Sequence, residues 1–591
     1  MNSDQIILFL LMGSVLAMLV WGRWRYDLVA FGALTVGLVI GVIPREEAFT
    51  GFGHPAVIII ALVLMISRAL SQSGAIELLS EKFVDAGRSL VGHIASIGIL
   101  GAVLSAFMNN VATLALLMPV DIQAANRAKR SPAITLMPLS FATILGGMVT
   151  LIGTPPNIVI SQFRETALGE PYAMFDFAWV GLGTAVIGLI FIALVGWRLV
   201  PASRSSSNTS EDLRNLEDYI VEIGFDADSP AIGQTIRSLE KTADEHDVLI
   251  LGLVRRGIRL PGKALREEIR KADLLVIKAA PKALESFASE VKLSYSRSKR
   301  HNGPFAGTLS IAEATVPLDA RIVNRSAENI RLLYRHGIML LGISRQGTTF
   351  RERVRKTPIE PGDVLLLMGE EEQLNDIIQW LGILPLARRG LQVTQRDKAG
   401  LAISLFAIAI LLSSTGLLYL PIALSLCVVL YAFLKVITPA QLYDSVQWSV
   451  LVLIASLIPI SAALEASGGT AMIASGIVGM TAGWPAVAVL LLLMVITMTL
   501  SDMLNNVATA LIAAPIAVDI AGQMQVNPDA LLMGVAIAAS CAFLSPIGHK
   551  NNTIIMGPGG YQFGDYWKIG LPLEILILCV SIPLILVFWP L

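Results

Sequence analysis

Apolar residues run together along most of this chain, and polar residues are confined to short turns and to one long central block. A helix needs about 20 apolar residues to cross roughly 30 Å of hydrocarbon. Windows at about 5–22, 26–44, 54–73 and 178–200 meet that length in the first half, and windows at about 399–418, 420–436, 446–464 and 568–591 meet it in the second. Four further stretches are apolar but interrupted. Ala95 to Val120 breaks at Met108-Asn109-Asn110, and Ala133 to Phe163 at Gly153-Thr154-Pro155-Pro156-Asn157. Ala486 to Val518 breaks at Leu504-Asn505-Asn506, and Ala530 to Tyr561 breaks between Ser545 and Asn552. The pattern predicts a polytopic α-helical membrane protein. Its first window follows MNSDQ, which has no basic stretch and no small-residue cleavage site, so it reads as a span and not as a signal peptide.

The two halves repeat each other. Asn109-Asn110-Val111-Ala112-Thr113 recurs as Asn505-Asn506-Val507-Ala508-Thr509, an offset of about 396, and Pro132 matches Pro528 at the same offset. Ile152-Gly153 matches Ile547-Gly548, and Ala69-Leu70 with Ser73-Gly74 matches Ala463-Leu464 with Ser467-Gly468, at offsets one and two residues shorter. Three plain spans, a re-entrant hairpin, one broken helix and a last span would make each half cross five times, and an odd count inverts the second half. Charge supports this independently. With the N-terminus outside, Arg23, Arg25, Lys82, Arg88, Arg127, Lys129, Arg130, Arg198 and Arg204 fall in inner loops, and the outer loops hold little beyond Arg45 and Arg164. Both termini are then outside and the central block is cytoplasmic.

Composition agrees, since 54% of the 591 residues are hydrophobic and only 15% charged. The net charge of -1 gives no basic excess for nucleic acid. Cys427, Cys541 and Cys579 lie in apolar stretches, an odd number without metal-ligand spacing, so neither a disulfide framework nor a zinc site is expected.

The expected domains are a membrane repeat at 1–200, a linker at 201–213, two soluble units at 214–290 and 306–385, and an inverted membrane repeat at 398–591. The soluble units match at an offset of about 90: Leu251-Gly252-Leu253 with Arg255 and Gly257 against Leu341-Gly342-Ile343 with Arg345 and Gly347, and Asp273-Leu274-Leu275 against Asp363-Val364-Leu365. Short β-type runs alternate with amphipathic helical stretches, an α+β pattern. With its repeated Gly turns and the final GDVLLLMG run, the block resembles a tandem of TrkA-C (RCK C-terminal) domains, which implies a regulatory or scaffolding role and a small ligand. Walker A, HExxH, GxSxG and CxxC motifs are absent from it, which argues against an enzyme.

Broken helices at membrane depth are tolerated where protein buries them or they line a wet cavity. Helix N-termini aimed at such a break favour an anion, and freed carbonyls favour a small cation. The bland alternative is that Asn109 and Asn505 only join helices. With four such breaks in this order around a central insertion, the chain resembles the divalent anion:sodium symporter family within the ion-transporter superfamily. That resemblance implies a homodimer in the inner membrane, embedded in lipid, which moves its hairpins and broken helices in an elevator-type cycle. It implies one sodium site at Asn109 and Gly153 and a second at Asn505 and Ser545. It also implies that Asn110, Asn506, Thr154, Pro155, Pro546 and Ile547 surround the substrate, with Asn109 and Asn505 beside them. The family's tip serine is Met108 here in one half and Leu504 in the other, and its threonine is Asn110 and Asn506. The lost hydroxyls favour a compact oxyanion such as sulfate over a dicarboxylate.

The second break also carries His549 and Lys550. A lysine at membrane depth costs about 2.5–3.5 kcal/mol on insertion scales and is usually kept for function or pairing. Lys550 is therefore expected to bind the anion, to replace the second sodium, and to pair with Asp502 when the site is empty, unless it snorkels to the surface. His549 is expected at the substrate and, through its imidazole, is a candidate for proton coupling. The sequence thus predicts an ion-coupled anion transporter. Its competitors are a dicarboxylate transporter, an anion channel gated by the TrkA-C units, and a substrate-sensing receptor.

Overall fold

A computed structural model describes the chain apart from residues 1, 22–23, 74–88, 129, 202–219, 227, 247, 256–257, 261–266, 279–280, 301–308, 346–347, 351–353, 355 and 387–397. Most of the expected linker lies outside the described residues, as do Arg23, Gly74, Lys82, Arg88, Lys129, Arg204, Gly257 and Gly347. The chain forms two compact units. One comprises Met1–Ser205, Leu391–Asn552 and Gln562–Leu591, and the other comprises Ser206–Gly390 with Thr553–Tyr561.

In the first half of the membrane unit, helices α1 (Ser3–Trp21), α2 (Tyr26–Ile40) and α3 (Pro55–Gln72) precede a hairpin of α4 (Leu90–Phe107) and α5 (Asn110–Arg127). They are followed by α6 (Ala133–Gly147), α7 (Pro155–Leu168) and α8 (Ala178–Leu194). Helix α2 stops at Ile40 because Gly41 takes the left-handed conformation, φ 90°, short of the expected end at 44.

The inserted unit holds two five-stranded antiparallel sheets. The first contains β1 (Ile220–Phe225), β2 (Leu249–Arg255), β3 (Ile258–Leu260), β4 (Leu274–Lys278) and β5 (Leu293–Arg300), with α9 (Ile236–Glu245) and α10 (Pro281–Val291) between strands. Its last strand runs past the expected boundary at 290. The second contains β6 (Leu309–Thr315), β7 (Met339–Arg345), β8 (Thr348–Phe350), β9 (Val364–Glu370) and β10 (Leu384–Pro385), with α11 (Leu332–His336) and α12 (Glu371–Leu381). Strand order is β3-β2-β4-β1-β5 in one and β10-β6-β9-β7-β8 in the other, which is the same order read from opposite edges. Each sheet has its own apolar core, and Val276 packs with Met339, Leu341, Leu366 and Met368 in a cluster between them. A matching ion pair closes each sheet. Arg255 donates to Asp273 at 3.0 and 2.8 Å, and Arg345 to Asp363 at 2.8 and 2.8 Å.

The second half of the membrane unit has α13 (Ala399–Ser414), α14 (Leu420–Phe433), α15 (Pro439–Asp444), α16 (Trp448–Ala466) and α17 (Gly469–Met480). Then come a hairpin of α18 (Ala486–Met503) and α19 (Asn506–Met524), the helices α20 (Pro528–Ser540) and α21 (Lys550–Met556), of which Thr553 onward belongs to the other unit, and α22 (Tyr566–Phe588). Helix α17 was not expected from the hydrophobic pattern. Among the described residues, six helices are long and apolar enough to cross a membrane, in α3 (with its lead-in from Arg45), α4, α16, α18, α19 and α22.

Packing partners recur between halves. Helix α1 packs on α2 and α13 on α14, α4 on α6 and α18 on α20, α5 on α6 and α19 on α20. Helix α2 packs on α16 and α3 on α14, while α8 packs on α22. Helices α6 and α20 are buried along their whole length and carry no exposed face. They sit in the core because their sequences are apolar around the full circumference. Asp529 in the first turn of α20 is buried, and Arg164 meets it at 2.7 Å.

Candidate functional site

The hairpin breaks fall where the sequence places them. In each, an asparagine at the start of the returning helix caps it by accepting the backbone N–H two residues on. Asn109 Oδ1 takes Val111 N at 2.9 Å, and Asn505 Oδ1 takes Val507 N at 2.9 Å. This is the ordinary N-cap role of Asn, and it satisfies one donor that the helix cannot. The next residue is held from five positions back in both hairpins: Ser105 Oγ donates to Asn110 Oδ1 at 2.7 Å, and Ser501 Oγ to Asn506 Oδ1 at 3.1 Å.

The broken-helix loops lie earlier in the chain than expected. The first spans residues 148–154, and Pro155, Pro156 and Asn157 already belong to α7, because proline suits the first helical turn, where its missing N–H is no loss. The second spans residues 541–549, and Lys550, Asn551 and Asn552 form the first turn of α21. Gly153 is buried where a Cβ would meet Gly147 O at 2.4 Å, and a Cβ on Gly147 would meet the Asn110 amide at 2.5 Å. The first loop can therefore lie against the first hairpin tip only through two residues that lack side chains.

The centre of the site joins the first hairpin and α6 to the second loop. Asn551, fully buried, donates Nδ2 to Asn110 O at 3.2 Å and to Thr143 Oγ1 at 2.8 Å. Asn552, equally buried, accepts from Ser140 Oγ at 2.9 Å and donates to Ala542 O and Ser545 O at 2.9 and 3.1 Å. His549 Nδ1 accepts from Asn551 N at 3.1 Å, and its Nε2 lies 3.5 Å from Asn110 Nδ2. Asn551, Asn552, Ser140 and Thr143 were missed from the sequence. The Asn551-Asn552 pair beside the break was the available signal, whereas Ser140 and Thr143 look like ordinary small residues of an apolar helix.

Other expected residues sit elsewhere. Thr154 is buried and makes no capping bond, and Pro155 is half-buried at the start of α7, which packs on α19 and α20. Pro546 is buried, but Ile547 is 59% exposed. Ser545 Oγ donates to Asp502 O at 2.8 Å and accepts from Ile547 N and Gly548 N. The pairing of Lys550 with Asp502 is not found among the described residues. Lys550 Nζ lies 3.3 Å from Gln447 Oε1 and 5.8 Å from the centre of the Tyr26 ring. Asp502 Oδ1 instead accepts from Leu544 N at 2.9 Å, and its carboxyl meets that of Glu574 in α22. The reason is directional: Asp502 lies on the last turn of α18 and is held to the loop before the break, whereas Lys550 projects from the helix after it.

The sequence matches the citrate transporter family over residues 16–530 and 487–591. It is 31% identical to an uncharacterized transporter of Synechocystis sp. over 575 residues, 95% of this chain and 93% of the other. It is 27% identical to an uncharacterized transporter of Escherichia coli over 622 residues, 100% of both chains. A sodium/sulfate cotransporter of Chlamydomonas reinhardtii matches at 27% identity over 179 residues, 29% of this chain and 20% of the other. With its long apolar helices, the chain is an integral membrane protein and belongs to the CitMHS citrate transporter family.

Proposed function

We propose that this protein is a secondary-active, sodium-coupled transporter of a compact divalent oxyanion such as sulfate. The observation that carries the reading is the junction of Asn110, Thr143 and Ser140 with His549, Asn551 and Asn552, a largely buried set of neutral polar groups where two helix starts meet the middle of α6. Helix N-termini and neutral amides can hold an anion without a fixed countercharge, and Lys550 at the start of α21 adds one positive charge nearby. Asn109 with Gly153, and Asn505 with Ser545, are the proposed sodium positions, with Lys550 doing part of the second ion's work. His549 offers proton coupling as a variant of the same scheme.

The matched packing partners of the two halves support inverted repeats, and hence alternating access by an elevator-type motion of the hairpins and broken helices. The matched strand orders and Arg–Asp pairs of the inserted unit support a tandem of TrkA-C domains in the cytoplasm, with a regulatory or scaffolding role and a small ligand. A homodimer in the inner membrane completes the proposal. The sodium/sulfate name of one relative favours sulfate, while the family's description favours a carboxylate substrate. Counterflow in proteoliposomes with sulfate, thiosulfate, phosphate, succinate, citrate and taurine, with and without sodium, decides between them. Exchange of sulfate that requires sodium supports the proposal, and exchange of citrate or succinate alone refutes its substrate.

A further inference from the structure

Thr113 and Thr509 hold the same position in the two hairpins, four residues after the capping asparagines Asn109 and Asn505. Both are fully buried, and each donates its backbone N–H to the capping residue's carbonyl at 3.0 Å. Neither hydroxyl has a hydrogen-bond partner among the described residues. A helical threonine ordinarily donates its hydroxyl to the carbonyl three or four residues back. Thr35, Thr143, Thr166, Thr184, Thr497 and Thr499 in the membrane unit all do so. Thr470 is also unpartnered, but it is the second residue of α17 and has no preceding turn of its own helix. A buried hydroxyl left unpaired costs about 1–3 kcal/mol. Here the cost recurs at two equivalent positions, although a carbonyl stands one turn away from each.

That carbonyl is under-used as well. Asn109 O and Asn505 O each accept one backbone N–H, and a carbonyl has two lone pairs. Each hairpin therefore offers two oxygens one turn apart, a carbonyl with a lone pair to spare and a hydroxyl with both of its own. Backbone carbonyls beside interrupted helices coordinate sodium in transporters, and a hydroxyl oxygen is a ligand of the same hard, neutral kind. Side chains on a helix also lean toward its N-terminus, so both threonines lean toward their break. The tips themselves carry Met108 and Leu504, which have no hydroxyl to offer.

We propose that Thr113 and Thr509 are ligands of the coupling sodium ions, one in each hairpin, supplying from inside the returning helix the hydroxyl oxygen that the tips lack. This rests on the sodium-coupled reading above and adds to it the residues that hold the ion. The neutral site binds sodium through dipoles alone, and the hydroxyl stays unsatisfied when the ion leaves.

The test uses the full-length protein in detergent and in proteoliposomes, with Thr113→Val, Thr509→Val, Thr113→Ser and Thr509→Ser. Melting temperature is measured in choline chloride and in sodium chloride, and sulfate uptake is measured against sodium concentration. Valine has the same shape and removes the unpaired hydroxyl. The valine variants should be at least as stable as wild type in choline, lose the sodium-induced rise in melting temperature, and need about tenfold more sodium for half-maximal uptake. The serine variants should keep the sodium response. Valine variants that retain the full sodium-induced rise overturn the proposal. So does lower stability in choline or failure to fold, because it shows that the hydroxyl has a protein partner. If wild type itself shows no sodium response, the sodium-coupled reading fails and this proposal falls with it.

Discussion

Asn551 donates its side-chain N–H to the main-chain carbonyl of Asn110 at 3.2 Å, joining two helix starts that lie 441 residues apart in the chain. The same amide reaches Thr143 Oγ1 at 2.8 Å, so one side chain fixes the first hairpin, α6 and the start of α21 together. Asn551→Ala leaves a buried carbonyl and a buried hydroxyl each short of a partner, at about 1–3 kcal/mol for a typical lost group. The melting temperature of the purified protein should fall, and uptake per folded molecule should fall by more than the stability loss explains. Asn551→Asp, which keeps the shape but removes the donor, should behave alike.

Asn109→Ala and Asn505→Ala each remove a helix cap and should cost about 1 kcal/mol. Transport should be abolished in both while size-exclusion profiles stay close to wild type. Normal uptake in both variants would show that the two caps are structural only.

Lys550, at the start of α21, lies within 3.3 Å of Gln447 Oε1 and 5.8 Å from the centre of the Tyr26 ring, and the proposal gives its ammonium a part in holding the anion. Lys550→Gln should raise the sulfate concentration for half-maximal uptake about tenfold, equivalent to about 1.4 kcal/mol, and should make uptake more dependent on sodium. Unchanged affinity and unchanged sodium dependence would place the side chain at the surface, outside the transport path.

In the inserted unit, burial alone would push the Asp273 carboxyl up, but the hydrogen bonds and charge of Arg255 outweigh it and hold the group below the usual carboxylate range. A carboxyl lowered in the folded state contributes stability above its unfolded value, about 3.9, and loses it as pH falls through the folded value. Hydrogen-exchange protection of β2 and β4 should therefore be steady near neutrality and fall on acidification below about pH 4. Asp273→Asn should lower protection already at neutral pH, and more in the first sheet than in the second, whose Arg345–Asp363 pair remains intact.

Much of this was readable in the chain because repetition exposes it. The NNVAT pair located both hairpin breaks, and the matched positions of Arg255 with Arg345 and of Asp273 with Asp363 recur in the two sheets, where they form ion pairs that the sequence did not announce. The loops were read too late because Pro155 looks like a breaker, although in the first turn of a helix it is a starter. Helix α17 was missed because its small residues give no strong hydrophobic stripe. Contacts between halves were the hardest to see. Nothing local distinguishes Ser140 and Thr143 from solvent-free helix filler until Asn551 and Asn552 arrive against them. Proximity along the chain also misled, since Asp502 meets Glu574 and not Lys550.

The most direct measurement is accumulation of radiolabelled sulfate in proteoliposomes carrying the purified protein, under an inward sodium gradient and then with that gradient collapsed. The account predicts that internal sulfate rises above the external concentration while the gradient lasts and falls back when it is dissipated. Flux that only equilibrates sulfate, with or without sodium, would contradict it and indicate a channel.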